Sequence, residues 1–298
     1  MKILVGNNGL GNPGGSETYA YALIKELVSR GIDVHAVGRI GPGIVSHQLN
    51  KLGVPCYFKS MTGKYDGLLL SHSTAINLAR DCSGRRIQTC HGVYLKVEQP
   101  QKGVDTYVSI SEEVLGYLQN QRIPSRIIRN GIDCVRFSPK IPIGQKPKTV
   151  LSLAHSDAAN SIIRQACKQV GLQLIERNKY KDPIWEMEDL INEADIVIGL
   201  GRGVYEAMAC GRNVIIFDHR PYMDKAVGDG FVTENNMWKF LRANCSGRFT
   251  KREFTVLDLV KELQKYSQAT GFELRKFAAS HLNIKDKVDQ YLSLLEKA

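Results

Sequence analysis

The sequence lacks any long hydrophobic run. No apolar stretch approaches the ~18 residues that a membrane span needs, and no basic segment followed by an apolar one marks a signal peptide. Paired cysteines are also missing, since the seven cysteines form no C-x-x-C motif and lie mostly in apolar surroundings. We therefore expect reduced, buried thiols, no zinc site, no transmembrane segment and a cytoplasmic location.

Negative charge is also in short supply. The chain carries 40 Lys and Arg against 30 Asp and Glu, a formal net charge of +10. Such an excess bears on binding partners rather than on the fold. It indicates either a solvated basic face or attraction to a nucleotide diphosphate, an anionic membrane surface or nucleic acid. No RNA-binding sheet motif, zinc finger or basic zipper accompanies the charge.

What the sequence does contain is a repeated alternation of short apolar strands and amphipathic helices. The stretch Lys2–Gly6 predicts a buried strand, and the apolar spacing of Gly15–Arg30 predicts the helix after it. Residues 138–148, rich in Pro, Gly and Lys, predict a domain linker, after which the alternation resumes. This order predicts a parallel, doubly wound sheet in each half of the chain.

Two glycine-rich turns follow predicted strands. In Ala194–Gly211 an apolar strand leads through three glycines into a helix that carries Glu206, an arrangement that favours anion binding. Gly9–Gly14 matches the dinucleotide pattern G-x-G-x-x-G, but Gly38-Arg39 stands where the ribose-binding acid is expected. This departure disfavours a nicotinamide enzyme, while Gly14–Glu17 at the helix start still offers amides to a phosphate.

Two polar residues follow later predicted strands. His91 comes directly after an apolar strand, and Asn130 follows the strand at Arg126–Arg129. Ligands of α/β folds bind beyond the carboxyl ends of strands, so both residues are candidates for ligand contact. Asn130-Gly131 is equally consistent with a turn that needs positive φ.

Five of these segments together resemble the retaining glycosyltransferases of family 4, which have the GT-B fold of two facing Rossmann-like domains. The matching segments are GGSE (Gly14–Glu17), HG (His91-Gly92), SISEEV (Ser109–Val114), NGID with FSP (130–139) and ADIVI with YEAMACG (Ala194–Gly211). The resemblance implies an α/β GT-B protein with parallel sheets. Its acceptor-side domain would span residues 1–139, its donor-side domain 140–280, and a final helix at 281–298 would pack back on the first domain.

The resemblance also implies roles for single residues. Gly14 and Gly15 would cradle the donor diphosphate or border the acceptor. His91 would act at the donor sugar, and Glu206 would bind the nucleotide ribose hydroxyls. The donor phosphates would bind the backbone amides of Gly201, Gly203 and Val204. The acceptor or the sugar would lie near Ser16, Glu17 and Asn130. A nucleotide-diphosphate sugar would be the co-substrate, with no cofactor and no metal, as no D-x-D run is present.

Two departures from the family pattern stand out. Ile198 occupies the position of the first acid of the E-x7-E signature, and His155–Arg164 holds no Lys-Gly pair for the diphosphate. Arg202, which could also act in catalysis, and Arg164 are candidates to supply the missing positive charge, because guanidinium groups bind phosphate bidentately. Each of the two is also compatible with an ordinary surface arginine.

The resulting prediction is transfer of a sugar from a nucleotide-diphosphate donor, with retention of anomeric configuration. The sequence does not distinguish a glycan, a lipid-linked sugar, a protein or modified nucleic acid as the acceptor. The protein could also contact an anionic membrane peripherally. The alternatives are a non-catalytic nucleotide-sugar-binding scaffold and a nucleotide-sugar epimerase on the same fold.

Overall fold

The computed structural model describes residues 1–220 and 224–296. Their contacts divide the chain into two compact units. Unit 1 comprises Met1–Gly131 together with the described residues from Ile284 onward, and unit 2 comprises Ile132–Asn283. None of the described helices is long and apolar enough to cross a bilayer.

Unit 1 is built on a seven-stranded parallel sheet. Its strands are β1 (Lys2–Gly9), β2 (Asp33–Ile40), β3 (Cys56–Tyr57), β4 (Thr62–Leu70), β5 (Asp81–Cys90), β6 (Thr106–Ser109) and β7 (Ser125–Ile127). Its helices are α1 (Gly15–Ser29), α2 (Ile44–Lys51), α3 (Ser73–Leu78), α4 (Glu112–Asn120) and, at the end of the chain, α11 (Ile284–Glu296). The strand order is β3-β2-β1-β4-β5-β6-β7, so the winding direction reverses between β1 and β4. Such a reversal opens a crevice at the carboxyl ends of the two strands.

The final helix α11 packs on unit 1 through several buried side chains, of which Tyr291 also forms hydrogen bonds. Tyr291 is almost fully buried; its hydroxyl accepts a hydrogen bond from Tyr19 of α1 at 2.8 Å and lies 2.7 Å from the hydroxyl of Thr89 in β5. Gly67 of β4 makes room for the same helix, since a Cβ there would lie 2.5 Å from Leu295. Of the predicted range 281–298, the last two residues lie outside the described part.

Unit 2 is built on a six-stranded mixed sheet. Its strands are β8 (Thr149–Ser152), β9 (Gln173–Glu176), β10 (Ile196–Gly199), β11 (Asn213–Asp218), β12 (Val227–Phe231) and β13 (Arg252–Glu253). Its helices are α5 (Asp157–Val170), α6 (Met187–Asn192), α7 (Arg202–Ala209), α8 (Glu234–Leu241), α9 (Val256–Leu263) and α10 (Gln268–His281). The strand order is β13-β12-β11-β10-β8-β9, and the winding direction reverses between β8 and β10.

The predicted α/β class with two parallel-dominated sheets is confirmed. Strands β8 to β11 pair parallel, but β12 and β13 add an antiparallel edge that the alternation of strands and helices did not predict. Strand β1 also continues to Gly9, three residues beyond its predicted end, because β2 pairs with it as far as Ile40.

The division between the units lies earlier than residue 139. Ile132, Cys134 and Phe137 are buried in the apolar core of unit 2, and Arg275 of α10 donates to the carbonyls of Cys134 and Phe137. Residues 138–148 also belong to unit 2, where Ile143 exposes only 6% of its surface. Composition suggested a linker there, but burial makes the stretch part of the second unit.

Candidate functional site

The glycine-rich turn of unit 2 lies at the strand-order reversal between β8 and β10. Gly201, which precedes α7, has a φ of +59°, a conformation that residues with a Cβ rarely adopt. A Cβ at Gly199 or Gly203 would lie 3.2 or 3.0 Å from the side chain of Leu153, which follows β8. The turn therefore needs glycine for two separate reasons, backbone conformation and close approach.

Glu206 and Arg202 form a buried ion pair within α7. The Nε atom of Arg202 donates to Oε1 of Glu206 at 2.9 Å, and the two side chains expose 6% and 9% of their surfaces. Burial raises the pKa of Glu206 above its usual range, although the charges of Arg202 and Arg136 act in the opposite direction. Arg202 is thus not a surface arginine. Its guanidinium already pairs with the carboxylate of Glu206, which is predicted to bind ribose.

A second ion pair lies beside the first. Nη2 of Arg136 is 2.8 Å from Oε2 of Glu188, and the guanidinium also donates to the carbonyl of Trp185 while lying 4.3 Å from the centre of its ring. Both charged side chains expose 13% of their surfaces. Glu188 raises the pKa of Glu206 by repulsion, so unit 2 does place a second carboxylate near the predicted ribose ligand.

Backbone donors at the turn are partly engaged. The amide of Gly201 donates to the carbonyl of Cys245 at 2.8 Å, and that of Val204 donates to the carbonyl of Gly201 at 3.1 Å. Of the predicted phosphate-binding amides, Gly203 is the one that donates to no carbonyl in the described part of the chain.

The ends of β8 and β11 hold a charged cluster that the sequence did not reveal. The carboxylate of Asp218, at the end of β11, is buried and accepts the amide of His155 at 3.2 Å to each oxygen. Nε of Arg220 lies 3.2 Å from Asp218, and its Nη1 contacts Nδ1 of His155. Burial, with the charges of Arg220 and Lys179, lowers the pKa of His155 to about 3, so the ring stays neutral.

Arg164 lies on the exposed side of α5. Its guanidinium binds both carboxylate oxygens of Glu176, at 2.5 and 2.9 Å, and its side chain is half exposed. Arg164 is therefore paired with Glu176, whereas Arg220 lies at the carboxyl edge of this sheet, after β11.

In unit 1, the reversal between β1 and β4 holds neutral polar groups. The amide of Asn8 donates to Nδ1 of His72 at 3.2 Å, which leaves the ring proton on Nε2. Thr74 donates to Oδ1 of Asn8 at 2.9 Å. Burial lowers the pKa of His72 to about 4, so this histidine is neutral near pH 7.

His91, the predicted catalytic residue, lies beside this group. Its ring stacks on that of His72 with centroids 5.7 Å apart and meets Tyr19 edge-on at 5.1 Å. His91 follows β5 and His72 follows β4, so adjacent parallel strands bring the two rings together. The rule that selected His91, a histidine after an apolar strand, would have found His72 as well.

The glycine turn of unit 1 leads into α1 without a side-chain cap. Gly14 is the N-cap residue, and the amide of Thr18 donates to its carbonyl, whereas the amides of Gly15, Ser16 and Glu17 donate to no carbonyl among the described residues. Ser16 donates to the carboxylate of Glu17 at 3.1 Å. Open amides at the start of a 15-residue helix are groups that can donate to an anion.

Asn130 and Gly131 follow β7, but not as a left-handed turn. Neither has positive φ. A Cβ at Gly131 would lie 2.7 Å from Cα of Ile284, so this glycine is required by the close approach of α11. Asn130 exposes 6% of its surface, and its Oδ1 atom is fully covered without a hydrogen-bond partner among the described residues.

No metal centre is evident in the part of the chain that the structure describes. Residues 1–220 and 224–296 contain no group of three or more His, Cys, Asp or Glu side chains that could hold a metal ion. The seven cysteines are all free thiols, and six of them are buried.

Comparison with known proteins identifies the fold. No family model and no curated protein matches the chain. A glycosyltransferase from Rickettsia africae ESF-5 has a TM-score of 0.63 at 14% identity, with 99% of this chain and 98% of that chain covered. The pneumococcal O-GlcNAc transferase GtfA, solved with UDP and GlcNAc, has a TM-score of 0.62 at 8% identity, covering 100% and 99%.

A third neighbour is an α-glucosyltransferase solved with UDP and a 13-mer DNA that contains an HMU base. It has a TM-score of 0.59 at 10% identity, with 100% of both chains covered. These neighbours are glycosyltransferases with Rossmann-like domains, and the fold of this chain is GT-B.

Proposed function

We propose that this protein is a glycosyltransferase that moves a sugar from a nucleotide-diphosphate donor to an acceptor with retention of configuration. One observation carries the proposal. In a chain with the GT-B fold over its full length, Glu206 presents a buried, arginine-held carboxylate at the strand-order reversal of unit 2. A carboxylate can accept hydrogen bonds from both hydroxyls of a ribose diol, which suits this position to nucleotide binding.

The remaining roles follow the chemistry of each position. The amides of Gly203 and of Gly14–Glu17 are suited to donor phosphates, and Arg220 adds positive charge at the carboxyl edge of the unit 2 sheet. The proposal assigns contact with the donor sugar to His91, which has the ring of His72 beside it. Transfer on the same face of the sugar requires stabilisation of the leaving diphosphate more than a protein nucleophile, so the proposal includes neither a metal nor a cofactor.

The acceptor would bind on the unit 1 side, where Ser16, Glu17 and Asn130 are candidate contacts. The net charge of +10 favours an anionic acceptor or surface. The DNA in the complex of the α-glucosyltransferase neighbour makes modified nucleic acid one acceptor to assay, with salt dependence as the diagnostic.

A nucleotide-sugar-binding protein without turnover is the second candidate. It is favoured by Ile198, which occupies the place of the first signature acid and is fully buried in β10, where it cannot contact a ligand. Donor hydrolysis and transfer assays separate the two functions. Binding of a nucleotide sugar with no turnover on glycan, lipid-linked, protein and DNA acceptors would favour the second.

The proposal is tested with Glu206→Gln. The amide keeps an acceptor for Arg202, so the fold is retained, but it loses the charge that strengthens hydrogen bonds to ribose. Wild-type protein is screened by thermal shift against UDP, GDP, ADP and dTDP, and the affinity of the best binder is measured calorimetrically. We expect the variant to bind about tenfold more weakly, or worse.

Arg164→Gln is the matched control, because it also replaces one charge of an ion pair but lies on the exposed side of α5. The affinity of this control variant for the same nucleoside diphosphate should equal that of the wild type. The proposal fails if no nucleoside diphosphate binds the wild-type protein, or if Glu206→Gln binds as tightly as the wild type.

A further inference from the structure

Unit 1 contains a cavity at the amino ends of its strands. Its volume is about 300 Å³, which lies at the lower end of the range for small-molecule sites. Its lining includes Lys2 at the start of β1, His35 near the start of β2 and the first residues of β4, 62–65. The candidate site of unit 1 lies at the carboxyl ends of the same strands. The cavity is therefore a separate feature of the sheet.

Three rings form the less exposed part of the cavity lining. The hydroxyl of Tyr65 lies 3.0 Å from Nδ1 of His35, and the ring of Tyr57 has its centroid 5.6 Å from that of His35. Tyr65 exposes 5% of its surface, and Tyr57 is half-buried. Burial and the charge of Lys2 lower the pKa of His35, although Asp33 acts in the opposite direction. The ring of His35 is thus neutral near pH 7, and this wall is uncharged and aromatic.

The charged side chains of the lining are all lysines. Nζ of Lys2 lies 3.8 Å from Oδ2 of Asp33, and the amide of Lys2 donates to Asp66 at 2.6 Å. Lys59 and Lys64 are exposed, and neither contacts a carboxylate within residues 1–220 and 224–296. No Asp or Glu belongs to the described lining. Two positive charges without a counter-ion therefore border a neutral aromatic wall.

This combination indicates a ligand that carries both a ring and a negative group. Aromatic side chains pack favourably against other rings, and lysine is a common partner of phosphate. A phosphate monoester carries a charge of about −1.5 to −2 at pH 7, which matches the two unpaired lysines. We propose that the cavity binds a small phosphate monoester, with its ring against Tyr57 and its phosphate at Lys59 and Lys64.

The proposed ligand is a small molecule rather than nucleic acid. A cavity of this size encloses a single ring with its phosphate, whereas protein–DNA interfaces cover a broad area of protein surface. The ring could be aromatic or a sugar, since both present a face that packs on tyrosine, and the experiment distinguishes the two. The site rests on unit 1 alone and does not depend on the proposed transferase activity.

The test compares the full-length wild type with the double variant Lys59→Gln/Lys64→Gln. Each is titrated with phenyl phosphate, glucose 6-phosphate and inorganic phosphate at constant ionic strength, and the rise in melting temperature gives an apparent Kd. We expect the double variant to bind the better of the two ring compounds about tenfold more weakly, or worse. The melting transition itself shows whether the variant is folded.

Lys51→Gln/Lys102→Gln is the matched control. It removes the same two positive charges from exposed positions of unit 1 that do not line the cavity. The affinity of this control for the ring compound should stay within about twofold of the wild type, because a loss of net charge alone acts weakly at constant ionic strength. An equal loss in both double variants would overturn the proposal.

Tyr57→Leu tests the aromatic wall separately. The leucine keeps an apolar side chain but removes the ring, so binding of the ring compound should weaken about threefold or more while binding of inorganic phosphate stays unchanged. Inorganic phosphate that binds the wild type as tightly as both ring compounds would contradict the proposal.

The kind of ring follows from the two esters. Tighter binding of phenyl phosphate, lost in Lys59→Gln/Lys64→Gln, supports an aromatic ligand, and tighter binding of glucose 6-phosphate, lost in the same variant, supports a sugar phosphate. The proposal fails if neither ester stabilises the wild type, or if a short single-stranded DNA binds more tightly than both and is lost in that variant. Glu206→Gln should bind the ester as the wild type does, so nucleoside diphosphate binding can succeed or fail independently.

Discussion

The carboxyl edges of the two sheets hold different kinds of polar group. In unit 2, charged side chains lie there as ion pairs: Arg202 and Glu206 are both buried, and the partly exposed Arg220 pairs with the buried Asp218. In unit 1 the corresponding edge, at the reversal between β1 and β4, is formed by neutral groups such as Asn8 and His72, together with the open amides at the start of α1.

The difference indicates what each edge can bind. Buried charges that are already paired neutralise one another and keep oriented acceptor atoms, which suits recognition of hydroxyl groups. Open backbone amides at a helix start carry no counter-ion and can meet an anion directly. On this basis the start of α1 offers more open amides than the turn of unit 2, where Gly201 and Val204 already donate to carbonyls.

The largest expected effect comes from breaking the ion pair of unit 2. Arg202→Met leaves the carboxylate of Glu206 buried without its partner, and the free energy of unfolding should fall by about 3–5 kcal/mol. The double variant Arg202→Met/Glu206→Met should recover most of that loss, since two apolar side chains can pack where two charges were paired. A double-mutant cycle measures this effect: urea unfolding is compared for the wild type, Arg202→Met, Glu206→Met and the double variant.

Glu17→Gln is the counterpart in unit 1. Glu17 is partly exposed, and among residues 1–220 and 224–296 its side chain bonds only to the neighbouring Ser16, so its replacement should change stability by about 0.5 kcal/mol or less. The contrast between the two edges is contradicted if Arg202→Met lowers the free energy of unfolding as little as Glu17→Gln does.

An intermediate effect is expected from the glycines that precede the two helices. Gly201→Ala forces a Cβ into a backbone conformation with φ of +59° and should destabilise unit 2 by about 1–3 kcal/mol. Gly15→Ala places its Cβ where no atom lies within 4 Å, and it should stabilise the protein by about 0.5–1 kcal/mol. Thermal and urea unfolding of both variants measure the difference, and equal effects would show that the two turns are not distinct in backbone strain.

The residues at the carboxyl edges of the two sheets can be predicted from the sequence where a local sequence pattern determines their position. The strand–turn–helix order placed Glu206 and His91 correctly after their strands, because apolar periodicity and glycine turns act over a few residues. The pairing of Arg202 with Glu206 was also within reach, since the two are four residues apart on one helix. The pair is not among the predictions because the glycines on either side of Arg202 indicate a turn there, whereas α7 begins at that residue.

Other features depend on contacts between distant parts of the chain. The grouping of His155 with Asp218 and Arg220 joins residues more than sixty positions apart, and only the strand order brings them together. The burial of Lys287 likewise depends on α11 packing against the end of β7, which helical periodicity alone could not reveal.

A pH-dependent effect is expected from the two neutral histidines, one at each edge. Both have lowered pKa values, to about 4 for His72 and about 3 for His155, against the unfolded value of ~6.5. Between these values the unfolded chain binds more protons, so stability is full above about pH 6.5 and falls as the pH drops. At pH 5.5 each histidine should cost about 1 kcal/mol of unfolding free energy relative to neutral pH.

Asparagine at either position keeps an acceptor in place of Nδ1, for the amide of Asn8 in unit 1 and for Arg220 in unit 2. His72→Asn and His155→Asn should therefore each remove about 1 kcal/mol of the stability lost between pH 7.5 and pH 5.5 in urea unfolding, whereas His47→Asn, at an exposed position, should leave that loss unchanged. If only one of the two variants reduces the acid sensitivity, the histidine of the other edge is reached by water in solution. The two edges would then differ in hydration as well as in charge.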